Sequence, residues 1–366
     1  MKYNLRSIVK NFKIEGNFLD GRAYGSGHIH DTFLIRTAEE TSNNYLLQKI
    51  NHHVFRNIPQ LMRNIEIVTK HIQKKITKSL DSKATMECLT FIPTNYEKYY
   101  YKDSSNNYWR VSIFIENSRS YDIVDCPEKA YAGGKAFGKF QAFLADLPAD
   151  SLYETIPDFH NIEKRLETFY ETLKADSLQR ARETQREIEI VIALAEEMKS
   201  IIRLGREGKI PERVTHNDTK FNNILFDRDD NPLCVIDLDT VMPGYIHYDF
   251  GDAIRTSTNS SSEDEKDLSK VSMDIKLFQA FSKGFIEETR KFLTKTEIAY
   301  LAFSAKLLAF MIGLRFLTDF IDGDKYYKIR HKYHNRQRAR VQFKLLESMD
   351  EQYTEMQAII KKIAES

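Results

Sequence analysis

The run Val214-Thr215-His216-Asn217-Asp218-Thr219-Lys220-Phe221-Asn222-Asn223 carries a carboxylate, an ammonium two residues on and a carboxamide five residues on, just before the apolar Ile224-Leu225-Phe226. A second apolar run, Leu233-Cys234-Val235-Ile236, leads into Asp237 and then Asp239. A lone loop Asp is usually a turn or cap residue, because its short side chain bonds the nearby backbone. The set together suits phosphoryl transfer. Asp218 would take the proton of an attacking hydroxyl, and Asn223 and Asp237 would hold Mg²⁺ against phosphate oxygens. Lys220 would neutralise charge on the group in flight.

Three neighbours need placing beside these four. Asp249-Phe250-Gly251 is a rival metal motif, but it follows Gly244-Tyr245-Ile246-His247-Tyr248, which is no strand. Asp237 is therefore the expected metal residue. Asp249 is expected to cap a helix over 251–255 or to brace the Asp218 loop. His216 is expected to be a brace and not a base, since Asp218 has the better spacing. Asp239 would face the same way as Asp237 if a strand continued through both. Contact with metal-bound waters and a loop cap are both open for it.

The elements that must carry these residues fall into two blocks. Leu19–Tyr24, Asp31–Thr37 and Asn44–Ile50 read as strands, the first two joined through Gly25-Ser26-Gly27. Pro59 opens a helix to about Leu80, with Leu61, Ile65, Val68 and Ile72 at helical spacing. Strands are expected again at 84–92, 96–101 and 108–115, with Asp103 to Asn107 as a turn. From 116 onward the pattern is mostly helical: 130–146, 162–205 as two helices or one bent helix, 264–289, 296–319 and 336–366. The β island at 213–239 interrupts it. This order, with D-x-x-x-x-N and a later Asp, is that of a kinase-like chain. The expected fold is α+β and two-lobed, with a small β-rich lobe over 1–115 and a larger, mainly helical lobe over 116–366.

Composition agrees with that reading and excludes several classes. The 366 residues hold only 14 Gly and 8 Pro, about half the usual share, which argues against collagen-like and turn-rich all-β chains. Lys plus Arg number 54 against 53 Asp plus Glu, so no net field selects nucleic acid or an anionic membrane. Cys88, Cys126 and Cys234 form no CxxC pair, which excludes a disulfide framework or a zinc site built from them alone. The N-terminal stretch mixes charge too finely for a signal-peptide core. The most apolar stretch, 299–317, contains Lys306 and Arg315 and reads as a buried helix rather than a membrane span. A cytoplasmic protein with no nucleic-acid or membrane partner is expected, in an undetermined oligomeric state.

The chain resembles the aminoglycoside phosphotransferase-like small-molecule kinases from about Phe12 to the last helix, including Val214–Leu225, Ile236–Gly244 and Asp249–Arg255, of which the catalytic island is shared across that whole superfamily. More narrowly it looks like the N-acetylhexosamine 1-kinases, on Tyr24-Gly25-Ser26-Gly27-His28-Ile29, Trp109-Arg110-Val111 and Arg315-Phe316-Leu317 with Gly323-Asp324. The resemblance implies ATP- and Mg²⁺-dependent phosphorylation of the anomeric hydroxyl of an N-acetylhexosamine. It implies Asp218 as base, Asn223 and Asp237 on the metal, and His28, Arg315 and Tyr326 at the sugar. Gly25, Gly27 and Gln48 are the expected nucleotide contacts. Two departures stand out. His30 lies where the narrower group has Asn, which makes it a candidate for tuning sugar preference. Gln48 stands where protein kinases carry a strand lysine, so no ion pair to a helix glutamate such as Glu66 can form from it. Gln48 can still donate to a phosphate oxygen, while Lys49 should face the other side of the sheet.

Plainer roles exist for several of these residues. His28 could satisfy only local backbone groups, and Arg315 could pair with Asp319 one helical turn on. Kinases of choline, homoserine or aminoglycosides form the alternative reading. A protein kinase fits less well, for lack of A-P-E and of an activation loop between Asp237 and Phe250. A non-catalytic kinase-shaped module fits poorly with Asp218, Lys220, Asn223 and Asp237 all present.

Overall fold

A computed structural model describes residues 3–25, 29–78 and 88–366. The chain divides into two compact units. One comprises Met1–Arg119, Asp146–Pro157 and Leu225–Met242, the other Ser120–Ala145, Asp158–Ile224 and Pro243–Ser366. The division is therefore not a single cut near 115. Two later segments join the first unit through specific bonds: Phe226 and Arg119 exchange backbone hydrogen bonds of 2.8 and 2.9 Å, and Asp146 accepts from His71 at 2.9 Å.

The first unit runs α1 (Leu5–Val9), β1 (Phe18–Ala23), β2 (Asp31–Thr37), β3 (Tyr45–Ile50), α2 (Ile58–Lys78), β4 (Phe91–Ile92), β5 (Tyr101–Lys102) and β6 (Tyr108–Ile113). The strands form an antiparallel sheet in the order β1-β2-β3-β6-β4, with β5 also on β6. Alternation sets its two faces. Ile35, Tyr45, Leu47, Trp109 and Val111 form one core cluster with Leu5, Ile8, Val9 and Phe12. Gln48 lies directly across from Arg110, and Lys49 from Trp109, so glutamine and lysine face opposite sides as expected. Helix α1 was not apparent in the sequence, being five residues long. The strand expected at 96–101 shrinks to β5, and 79–87 lies outside the described residues.

Next come α3 (Pro127–Leu144), α4 (Ile162–Ala175), α5 (Gln185–Met198), α6 (Ser200–Arg206), β7 (Arg213–Thr215), β8 (Ile224–Phe226), β9 (Pro232–Val235), β10 (Met242–Gly244), α7 (Ile246–Ser257), α8 (Ile275–Thr289), α9 (Lys295–Ala299), α10 (Leu301–Ile321), α11 (His334–Glu351) and α12 (Tyr353–Glu365). A small β-rich unit and a larger, mainly helical one make an α+β chain. The helix expected from Asp264 begins later, at Ile275, because Asp274 caps it by accepting from Lys276 and Leu277 N–H groups at 2.8 and 3.1 Å. Helix α10 is apolar nearly all round, as a core helix is, and is mostly buried. Its Lys306 is paired with Asp350 at 2.6 Å. Helices α3 and α8 approach closely because glycines face them. A Cβ on Gly134 would meet the Phe281 carbonyl oxygen at 2.1 Å, and one on Gly284 that of Tyr131 at 2.2 Å.

Candidate active site

The Asp218 loop lies in the helical unit and is held on both sides. Asp249, in the first turn of α7, accepts from the backbone N–H groups of His216 at 2.8 Å and Asn217 at 2.7 Å. Gln141 of α3 adds Nε2 at 2.5 Å, and the Thr219 hydroxyl donates to the Asp249 carbonyl at 2.6 Å. Asp249 is thus a loop brace and not a helix cap, and burial pushes its carboxyl up to about 6. On the other side His160 Nε2 meets the Asn217 carbonyl at 2.9 Å. Burial lowers His160 to about 4, so the neutral imidazole donates. His216 is buried and its Nδ1 receives the Asp218 N–H at 3.3 Å.

Asn217 sits at φ +65°, a left-handed conformation that Asn tolerates better than most residues. Gly244 lets the chain pass close beside it: a Cβ there would meet Thr215 Oγ1 at 2.4 Å. The outcome is a fixed, partly exposed Asp218. Burial alone would raise its carboxyl, but Lys220 Nζ at 2.9 Å overcomes this and holds it below the usual range. Asp218 in turn raises Lys220. Asn223 donates Nδ2 to the Asp218 carbonyl at 2.8 Å, which leaves its amide oxygen as a hard donor for a cation.

Arg315, on α10, stands in the same unit. Its guanidinium lies 5.2 Å from the Phe159 ring, 5.8 Å from Tyr326 and 5.6 Å from Tyr327. The Asp319 pairing does not form. Asp319 instead accepts from the Tyr326 and Tyr327 N–H groups at 2.8 and 2.9 Å, fixing the turn that presents both tyrosines. Arg165 of α4 donates to the Phe159 carbonyl at 2.9 Å. Burial and the nearby Arg315 lower Arg165 to about 10. Among the described residues neither arginine has a carboxylate within ion-pair reach, although Asp158 acts on Arg165 and Asp218 on Arg315 from further off.

The β-rich unit carries the other expected residues. Gly25 has φ +76° with nothing within 4 Å of a Cβ position, so conformation and not space calls for glycine. Gly27 and His28 lie outside the described residues. Strand β9 stops at Val235, and Asp237 turns left-handed at φ +61° into a 3-10 turn over Leu238–Thr240. Strand alternation therefore does not relate Asp237 to Asp239. Asp239 is buried; both its oxygens are taken by Arg110, one of them at 2.8 Å from Nη2, and His30 Nε2 sits 2.6 Å from Oδ2. His30 Nδ1 accepts the Asn51 N–H at 3.0 Å, so both ring nitrogens are engaged here. Gln48 accepts from Arg110 Nε at 2.9 Å and donates to Thr32 Oγ1 at 3.2 Å. Its amide is thus occupied within the sheet. Glu66 pairs along α2 with Lys70 at 2.7 Å and Arg63 at 3.2 Å.

Sequence reasoning gave Arg110 no role of its own and overlooked Arg165. The one signal for Arg110 was a charge inside the otherwise apolar-patterned β6, which burial permits only if paired. Nothing local marked Arg165 within a charged helix. A cavity of about 710 Å³ lined by Glu187, Leu194, Lys306, Arg340 and Phe343 involves none of the candidate site residues.

The carboxylate and amide oxygens of Asp237 and Asn223 are hard donors of the kind Mg²⁺ takes, and neither is a thiolate or imidazole suited to zinc. Their chemistry fits that ion.

The family model described as "Phosphotransferase enzyme family" matches residues 20–269. Among solved structures, an aminoglycoside phosphotransferase from Alicyclobacillus acidocaldarius superposes with TM-score 0.61 at 14% identity, over 98% of this chain and 96% of that one. A choline kinase from Cryptosporidium parvum gives 0.58 at 13% identity, over 99% of each chain. A spectinomycin phosphotransferase, solved with ADP and spectinomycin, gives 0.54 at 11% identity, over 98% of each chain. At such identities the likeness shows the fold, and the fold is kinase-like. With the family model covering the Asp218 loop and both candidate metal residues, the chain belongs to the phosphotransferase enzyme family.

Proposed function

We propose that this protein is a small-molecule kinase that transfers the γ-phosphoryl group of ATP to the anomeric hydroxyl of an N-acetylhexosamine, N-acetylglucosamine or N-acetylgalactosamine. The acceptor oxygen attacks the γ-phosphorus, the bond to the β-phosphate oxygen breaks, and Asp218 takes the hydroxyl proton. Lys220 offsets charge on the transferring group and keeps Asp218 ionised. The two-sided brace from Asp249 and His160 holds Asp218 without reorganisation, which is where positioning contributes most. Mg²⁺, when bound, neutralises phosphate charge; Asn223 and Asp237 would hold it. ATP as donor accords with the ADP in the spectinomycin phosphotransferase.

The observation that carries the acceptor class is the Arg315–Tyr326–Tyr327 corner with Arg165 beside it. Two guanidiniums that have no carboxylate within ion-pair reach among the described residues supply permanently charged donors, which suit a neutral ligand rich in oxygen acceptors better than a cationic one. Choline and aminoglycosides are cationic. Tyr326 is 63% exposed, open to a ligand hydroxyl. His28 remains a proposed sugar contact. His30 is proposed to act through Asp239, and Gln48 through Arg110, in place of direct contact. A cytoplasmic setting, with no nucleic acid or membrane partner, is part of the same reading.

The test is ATP consumption by purified protein against a panel of free sugars, choline, homoserine and aminoglycosides. Turnover with N-acetylhexosamines above all others supports the reading. Turnover confined to choline, homoserine or an aminoglycoside defeats the acceptor assignment and leaves the kinase assignment standing.

A further inference from the structure

The buried chain of contacts Gln48–Arg110–Asp239–His30 spans β3, β6, the Asp237 turn and the segment just before β2, all within the β-rich unit. Arg110 is 3% exposed and its guanidinium is directed inward. Nε is on Gln48, and both terminal nitrogens are on Asp239. A buried charge of this kind persists only when paired this completely. The turn is tied at further points. The Asp239 carbonyl accepts the Thr155 hydroxyl at 3.0 Å, and the Val241 carbonyl accepts Asn64 Nδ2 at 3.0 Å. Asp237 itself holds a left-handed conformation, φ +61°, which a non-glycine residue keeps only when its surroundings enforce it.

We propose that Arg110 and His30 are positioning residues that clamp Asp239, and through it fix the direction of the Asp237 carboxylate toward a divalent cation. The clamp stands where a strand-lysine-to-helix-glutamate pair is missing. Gln48 provides no charge, Glu66 is paired along its own helix, and the ion pair is moved to β6 and the metal turn. On this account Asp239 holds the turn and is not itself a cation ligand, because its two oxygens already receive three donors. The inference rests on the reading of Asp237 as a metal-holding carboxylate.

The experiment measures ADP binding by calorimetry with and without Mg²⁺, and hydrogen exchange of residues 237–241 in the metal-free protein. It compares wild type, Arg110→Met, Asp239→Asn, His30→Phe and the paired Arg110→Met/Asp239→Leu. The clamp predicts a loss of at least about tenfold in the Mg²⁺-dependent gain of ADP affinity in Arg110→Met and Asp239→Asn. Metal-free ADP affinity should stay within about threefold, and exchange at 237–241 should rise. His30→Phe, the mildest change, should lose about threefold of that gain. The paired apolar variant should regain thermal stability, as apolar replacements of buried ion pairs do, without regaining the Mg²⁺ response. A folded Arg110→Met or paired variant with the wild-type Mg²⁺ response overturns the clamp. Wild-type protein that binds no nucleotide at all would instead remove the kinase reading, and the clamp with it.

Discussion

Two of the buried histidines of the helical unit, His160 and His247, make stability fall as pH falls, and the size of the effect follows from their surroundings. His160 donates to the Asn217 carbonyl and His247 Nε2 to the Glu297 carbonyl at 3.0 Å. His247 Nδ1 is buried without a partner, so the ring is neutral. Burial lowers both to about 4, whereas in the unfolded chain they titrate near the ordinary 6.5. Between these values the unfolded state binds more protons than the folded one, so acidification favours unfolding. The loss is about 3 kcal/mol for each histidine below pH 4, and about 2 kcal/mol of it has appeared by pH 5. Asp249, raised to about 6 by burial, acts in the opposite sense over the same range. The decisive quantity is therefore the difference between wild type and His160→Gln, whose amide can still donate to Asn217. Urea unfolding at pH 7.5 and pH 5 should show the variant losing about 2 kcal/mol less than wild type on acidification. Equal losses in the two proteins would refute the neutral, buried His160 and the loop brace built on it.

The remaining predictions concern the loop and the acceptor corner. Asp249→Ala leaves three buried donors without their acceptor, so calorimetry should show a stability loss of about 3 kcal/mol, roughly 4 °C in Tm. Its Mg²⁺ dependence should persist; unchanged stability with lost metal dependence would make Asp249 the metal residue in place of Asp237. Asp218→Asn should keep ADP affinity and melting temperature but lower kcat by about 10²- to 10⁴-fold, toward the low end because a loose transition state asks little of a base. Wild-type turnover in that variant would exclude Asp218 as base. Arg315→Ala should raise the acceptor KM by about 10- to 100-fold with a smaller change in kcat, since a charged hydrogen bond to a ground-state ligand is worth about 1.5–3 kcal/mol. Steady-state kinetics that place the loss in kcat alone would assign Arg315 to the transition state.

What could be read from the sequence was what is local. Asp218, Lys220 and Asn223 lie within six residues and end up in one braced loop, because loop geometry is set by near neighbours. The α+β class was legible for the same reason, since periodicity reports each element separately. Partners brought in from a distance were not legible. Asp319 sits at the right spacing for Arg315, yet the two N–H groups after α10 compete for it and prevail. Asp239 was ambiguous until Arg110, far back in the chain, claimed both its oxygens. Strand alternation misjudged it because the chain leaves β9 two residues before Asp237. Gln48 looked open to a phosphate only because its cross-strand neighbour Arg110 was not counted against it.

The most direct test of the account is NMR of the product formed from N-acetylglucosamine or N-acetylgalactosamine with ATP and Mg²⁺ and the purified protein. The account predicts one ADP formed per sugar consumed, and a phosphorus coupled to the anomeric proton, which marks a sugar 1-phosphate. A phosphate on any other oxygen, or ATP hydrolysis that leaves the sugar unchanged, would contradict it.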